Sequence, residues 1–111
     1  MKRFKYAFEG CIQLFKKDHN FLLHIVLMII AIIFGIICGI SPIEWMILTL
    51  VIGLVLAFEV INTALEYVVD LVTLEYHDYA KYAKDIAAFS VVIMAIVAVI
   101  IGIIIFIPKL I

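Results

Sequence analysis

Between Phe58 and Asp70 the chain reads F-E-V-I-N-T-A-L-E-Y-V-V-D, an apolar stretch with three acids and an amide set into it at helical spacing. On a helix, at about 100° per residue, Glu59, Asn62, Thr63, Glu66 and Asp70 fall within an arc of about 100° on one side of an otherwise apolar rod. An isolated ionised carboxylate in lipid costs several kcal/mol or neutralises, so such a stripe must face protein, water or a cation. No Lys or Arg lies in the same run, which makes a cation the simplest partner, and an all-oxygen donor set favours magnesium over zinc or copper. Beyond the stripe comes E-Y-H-D-Y-A-K-Y-A-K-D, which places His77, Lys81, Lys84 and Asp85 on the same side. Lysines beside carboxylates at a magnesium site suit polyphosphate, because positioning and charge neutralisation supply most of phosphoryl-transfer catalysis. Neither G-x-x-x-x-G-K-[ST] nor a glycine-rich kinase loop occurs, so a nucleotide site must be built differently.

The elements that position these groups are helices in lipid. Of 111 residues, 68% are hydrophobic and only 15% charged, with a mean hydropathy of +1.34. A soluble domain of this length cannot bury that much apolar surface. Residues 21–40 and 86–107 each match the roughly 20 residues that cross a hydrocarbon core. Residues 43–74 read as one helix nearly 50 Å long, more than a core of about 30 Å can hold, so its acidic second half must emerge into water. Entering near Ile43, this helix carries Glu59 about 24 Å deep, at the far edge of the hydrocarbon, and Glu66 about 10 Å further, at the headgroups or beyond. Gly39, Ser41 and Pro42 mark a compact turn, with Ser41 as cap and Pro42 at the first helical position. Glu75 to Asp85 is expected as a polar, tyrosine-rich link, and Pro108 as the stop of the last helix.

Orientation follows from the cations. Lys2, Arg3, Lys5, Lys16, Lys17, Lys81 and Lys84 lie on one side of the spans and Lys109 alone on the other, which puts the N-terminus and the second link in the cytoplasm. Within residues 1–18, Phe4, Phe8, Cys11, Ile12 and Phe15 share one face, as in an amphipathic helix lying on the inner leaflet. No small-residue cleavage site follows the first apolar run, so this segment is expected to be retained. A net charge of −1 gives no general attraction to nucleic acid, and Cys11 and Cys38 show no metal-ligand spacing. The expected fold is therefore all-α and integral to the membrane: one membrane-embedded domain over residues 1–111, with three transmembrane helices and an N-terminal surface helix.

The run E-V-I-N-T-A-L-E-Y-V-V-D, followed by E-Y-H and A-K-D, closely resembles the signature of the prokaryotic diacylglycerol kinase family, trimeric membrane enzymes that phosphorylate lipid alcohols with ATP. The resemblance covers nearly the whole chain, including Y-A-F-E-G near the start. It implies Glu59 as the catalytic base that takes the lipid hydroxyl's proton, Glu66 and Asp18 as magnesium ligands, and Asn62 as a polar site residue. Asp18 stands where the family usually has Glu. Lys84 and Asp85 match its phosphate-side pair, Glu75, Tyr76 and His77 its nucleotide-contacting segment, and Tyr6 an aromatic position near the nucleotide. Leu22 stands where relatives commonly carry Arg. The Y-A-F-E-G and N-F-x-x-H strings resemble the branch that converts undecaprenol to undecaprenyl phosphate rather than the branch acting on diacylglycerol. The resemblance further implies a homotrimer in the bacterial inner membrane, with cytoplasmic active sites shared between subunits.

Read without the resemblance, several features have plainer explanations. His24 reads as a packing or interfacial histidine, His77 as a surface residue, Tyr67, Tyr76, Tyr79 and Tyr82 as an interfacial belt, and Trp45 as an outer-leaflet anchor. Gly35 and Gly39 form a G-x-x-x-G, and Ala88, Ala95 and Gly102 recur every seven residues, which suggests seams for helix packing and oligomerisation. A cation or proton transporter using Glu59 and Glu66 is the competing class. A transporter needs a path to both sides, whereas Trp45 to Phe58 contains no ionisable group.

Overall fold

A computed structural model describes residues 2–111, which form four helices: α1 (Lys2–Lys17), α2 (His19–Cys38), α3 (Pro42–Val72) and α4 (Asp78–Leu110). The boundaries have local causes. Asp18 is the single residue between α1 and α2, and its Oδ1 accepts from the N–H groups of Asn20 (2.9 Å) and Phe21 (3.3 Å), which starts α2. Gly39 ends that helix in the left-handed conformation, at φ 62°, where a side chain would be strained. Ser41 caps α3 with Pro42 in the first turn, as the sequence predicts, and Glu44 completes a reciprocal capping box with Ser41.

Two expectations are revised. The segment 75–85 is not a link throughout, because His77 Nδ1 accepts from the Tyr79 N–H and opens α4 at Asp78, eight residues before Ile86. Ala80, Lys81, Ala83 and Lys84 are strong helix formers, so the span extends into the polar region. Pro108 does not stop the helix either; it lies inside the last turn, where one missing hydrogen bond is tolerated and the helix runs on to Leu110.

Three of the helices, α2, α3 and α4, are long and apolar enough to cross a membrane. Their apolar windows are only 11%, 33% and 6% buried, so most of that surface needs a non-aqueous neighbour. This is a membrane protein. Its longest dimension is 52 Å, well beyond a hydrocarbon core of about 30 Å, so the ends of α3 and α4 project from it.

Helix α3 packs chiefly on α4, with α2 laid against it. The end away from the acidic stripe is the apolar knot: Ile40, Leu48 and Ile105 are buried, with Trp45, Ala31, Ile52 and Phe106 around them. Gly35 belongs to this knot, since a Cβ there would stand 2.7 Å from Trp45 Cη2. Thus Trp45 is more than an anchor, and the G-x-x-x-G is not an open seam: the indole covers Gly35, while Gly39 serves as the cap. Lys109 closes the same end by pairing with Glu44 at 3.1 Å.

Candidate functional site

The opposite end of α3 carries the polar groups. Glu59, Asn62 and Thr63 are buried, the only buried polar residues among those described, with 5%, 8% and 3% of their surface exposed. Their stripe is covered by the α1–α2 junction. Thr63 Oγ1 donates to Asp18 Oδ2 at 3.0 Å and also lies 3.1 Å from the Glu59 carbonyl oxygen, so the cap of α2 is fastened to the middle of the stripe. One turn on, Asn62 Nδ2 donates to Glu66 Oε1 at 3.3 Å. Asn62 Oδ1 is buried without a partner among the described residues, an oxygen acceptor whose desolvation they leave uncompensated. His24, in the second turn of α2, brings Nε2 to 3.5 Å from Glu59 Oε2.

Electrostatics divides the stripe. Burial pushes the Asp18 carboxyl up, but the adjoining Glu59 side chain and hydrogen bonds from Thr63 and the N–H groups of Asn20 and Phe21 outweigh it and hold the group below its ordinary range. Asp70 belongs to a different set. Its Oδ1 accepts from Lys84 Nζ at 2.7 Å and its Oδ2 lies 3.8 Å from Lys17 Nζ, and these cations, Lys84 first, hold its carboxyl low. Lys17 also sits 4.6 Å above the Tyr67 ring, which makes Tyr67 a cation's seat rather than a belt residue alone. Lys81 pairs with Asp85 at 2.6 Å, which raises the lysine's affinity for its proton.

The structure thus gathers Asp18, Glu59, Asn62 and Glu66 at one locus. Glu75, Tyr76, His77, Lys81, Lys84 and Asp85 line a second, open cleft with Asp70 between the end of α3 and the start of α4. Lys84 and Asp85 do not pair with each other; each finds its partner elsewhere, on Asp70 and Lys81. Tyr6 joins neither group and stands exposed on α1. The absence of a base for the acids holds for Glu66 but not for Asp70, whose lysines come from α1 and α4. The sequence alone did not give Thr63 as the tie to Asp18 or Lys17 as Asp70's second cation, and it read His24 as a packing or interfacial histidine, whereas the imidazole faces Glu59. The signal for His24 was present, because an ionisable side chain inside a spanning helix is itself a mark of a site.

No cluster of three or more His, Cys, Asp and Glu side chains arranged around one point occurs among the described residues. Magnesium does not require one, since it keeps several waters and is held by one or two carboxylates together with substrate phosphates. Asp18, Glu66 and the unpartnered Asn62 Oδ1 form an all-oxygen donor set of that kind.

A family model described as prokaryotic diacylglycerol kinase matches residues 5–106. The chain belongs to this family. It is a lipid kinase, and the family implies the use of ATP. The undecaprenol kinase of Bacillus subtilis is 41% identical over 109 residues, which cover 98% of this chain and 89% of that protein. A Synechocystis diacylglycerol kinase is 40% identical over 96% of the chain but extends further, so that the match covers 62% of its length. The Escherichia coli K12 diacylglycerol kinase is similar over a shorter stretch, at 47% identity across 47 residues, or 42% of the chain and 38% of that enzyme.

Proposed function

We propose that the kinase transfers the γ-phosphate of ATP to the hydroxyl of undecaprenol. The observation that carries this reading is the group of Glu59, Asn62 and Glu66, the first two buried, on the polar face of a helix otherwise suited to lipid, with Asp18 fastened to that face through Thr63, in a chain 41% identical to an undecaprenol kinase. In this account Glu59 takes the proton of the lipid hydroxyl. The freed oxygen bonds to the γ-phosphorus as the bond to the β–γ bridging oxygen breaks, and ADP leaves with that electron pair.

The remaining residues hold the reactants. Asp18 and Glu66 are the carboxylates that would bind magnesium, which when bound offsets charge on the nucleotide's phosphates. Asn62 keeps Glu66 in place through its amide. Lys84 stands where a phosphate could take it from Asp70, with Glu75, Tyr76, His77 and Asp85 in the same cleft and Tyr6 reaching the nucleotide from α1. The preponderance of Lys and Arg on α1 and the α3–α4 end supports a cytoplasmic face for this site in a bacterial inner membrane, with α1 flat on the leaflet. One protomer covers the polar stripe on only part of its circumference, which supports a homotrimer whose sites are shared. We treat residues 1–111 as a single catalytic domain.

The test is direct. Purified protein in lipid, given magnesium and γ-labelled ATP, is offered undecaprenol and diacylglycerol side by side. Label is expected chiefly in undecaprenyl phosphate. Faster labelling of diacylglycerol would move the protein to the other lipid class.

A further inference from the structure

We propose that His24 is a positioning residue for lipid phosphorylation, holding one oxygen of the Glu59 carboxylate so that the other is presented to the alcohol. The inference rests on the reading of Glu59 as the base. Its ground is the setting of the pair. Glu59 is buried, and an apolar cavity of about 240 Å³ between α2, α3 and α4 is lined by His24 together with Leu27, Met28, Val55 and Leu56. Of the residues lining that cavity, His24 alone has a nitrogen or oxygen in its side chain. A carboxylate beside such a surface either meets a donor or is held loosely, because its desolvation is otherwise uncompensated.

His24 Nε2 lies 3.5 Å from Glu59 Oε2, and the imidazole can donate through that nitrogen. The separation exceeds an optimal hydrogen bond, as catalytic contacts commonly do before substrate closes the site. Asp18, the cap of α2, also touches the Glu59 side chain, from the α1–α2 junction, and the remaining neighbours act on other parts of it. Thr63 bonds its main-chain carbonyl, and Asn62 is committed through Nδ2 to Glu66. Orientation of the Glu59 carboxylate is therefore divided between Asp18 at the junction and His24, the residue within α2 that reaches it and also lines the apolar cavity. Because the imidazole also lines the apolar cavity, a hydrocarbon tail held there would lie beside the residue that orients the carboxylate.

The experiment compares His24→Leu, His24→Gln and Glu59→Gln in the full-length protein in lipid, with kcat and KM measured separately for undecaprenol and ATP. Leu keeps the bulk and removes the donor, whereas Gln restores an N–H of similar reach. His24→Leu is expected to lower kcat by about 10- to 100-fold, the scale of a slightly misplaced catalytic group, with the KM for ATP unchanged. His24→Gln is expected to recover most of that loss. If Leu prevents folding, His24→Met takes its place. Full kcat in the apolar variant while Glu59→Gln is inactive would overturn the positioning role and leave Glu59 as the base. Loss in both the apolar and Gln variants, at wild-type thermal stability, would also overturn it. Substantial turnover by Glu59→Gln would instead remove the base on which the inference rests.

Discussion

Two carboxylate groups on one helix, a single turn apart, meet different fates. Glu59 meets His24 of α2, Thr63 beside it holds Asp18 of the α1–α2 junction, and Glu66 pairs with Asn62, with no Lys or Arg bound to this group among the described residues. Asp70, the next acid along, is held by Lys84 of α4 and Lys17 of α1. Among the described residues no Lys or Arg pairs with the first group, whereas the second is neutralised within the fold. Excess charge that folding does not satisfy is left for a ligand, while satisfied charge ties elements together. In the proposed account the first group is thus the one left for a cation and a proton.

This contrast can be broken at either end. The largest effect is expected at Glu59. Glu59→Gln should leave fold and assembly intact but lower phosphate transfer by about 100-fold or more, the usual scale of a lost general base, measured as label incorporated into lipid. A substantial fraction of wild-type turnover would show that the proton goes elsewhere. Next comes Glu66→Gln, which should raise the magnesium concentration for half-maximal rate by about tenfold, and an unchanged titration would separate Glu66 from the metal. Asp70→Asn should have the smallest effect, with turnover near wild type and a slightly lower Tm. Its folded carboxyl titrates below the ordinary 3.8, so its stabilising pair is present above that value and lost as pH falls through the lowered one. The Tm difference between Asp70→Asn and wild type should therefore vanish in acid, and a difference that persists there would assign another role to Asp70.

Much of this was legible in the residues. The spans, the Ser41–Pro42 turn and the polar face of residues 59–70 follow from hydropathy and helical period, which are properties of one segment at a time. What could not be read was which cation meets which acid. Lys17 and Asp70 are far apart in sequence, and only the return of α1 over α3 brings them together. Gly35 illustrates the same limit: its spacing from Gly39 signals a helix seam, but its occupant is Trp45, reached across the turn. The start of α4 was misplaced because polarity marks where a helix leaves lipid, whereas its beginning is set by the cap at His77.

The most direct measurement replaces magnesium by manganese and counts the tightly bound ions by electron paramagnetic resonance, with a non-hydrolysable ATP analogue present. Wild type and Asp70→Asn should bind the ion equally, and Glu66→Gln should lose most of that binding. Equal binding by Glu66→Gln, or loss in Asp70→Asn instead, would mean that the unneutralised acids beside Asp18 are not the cation site.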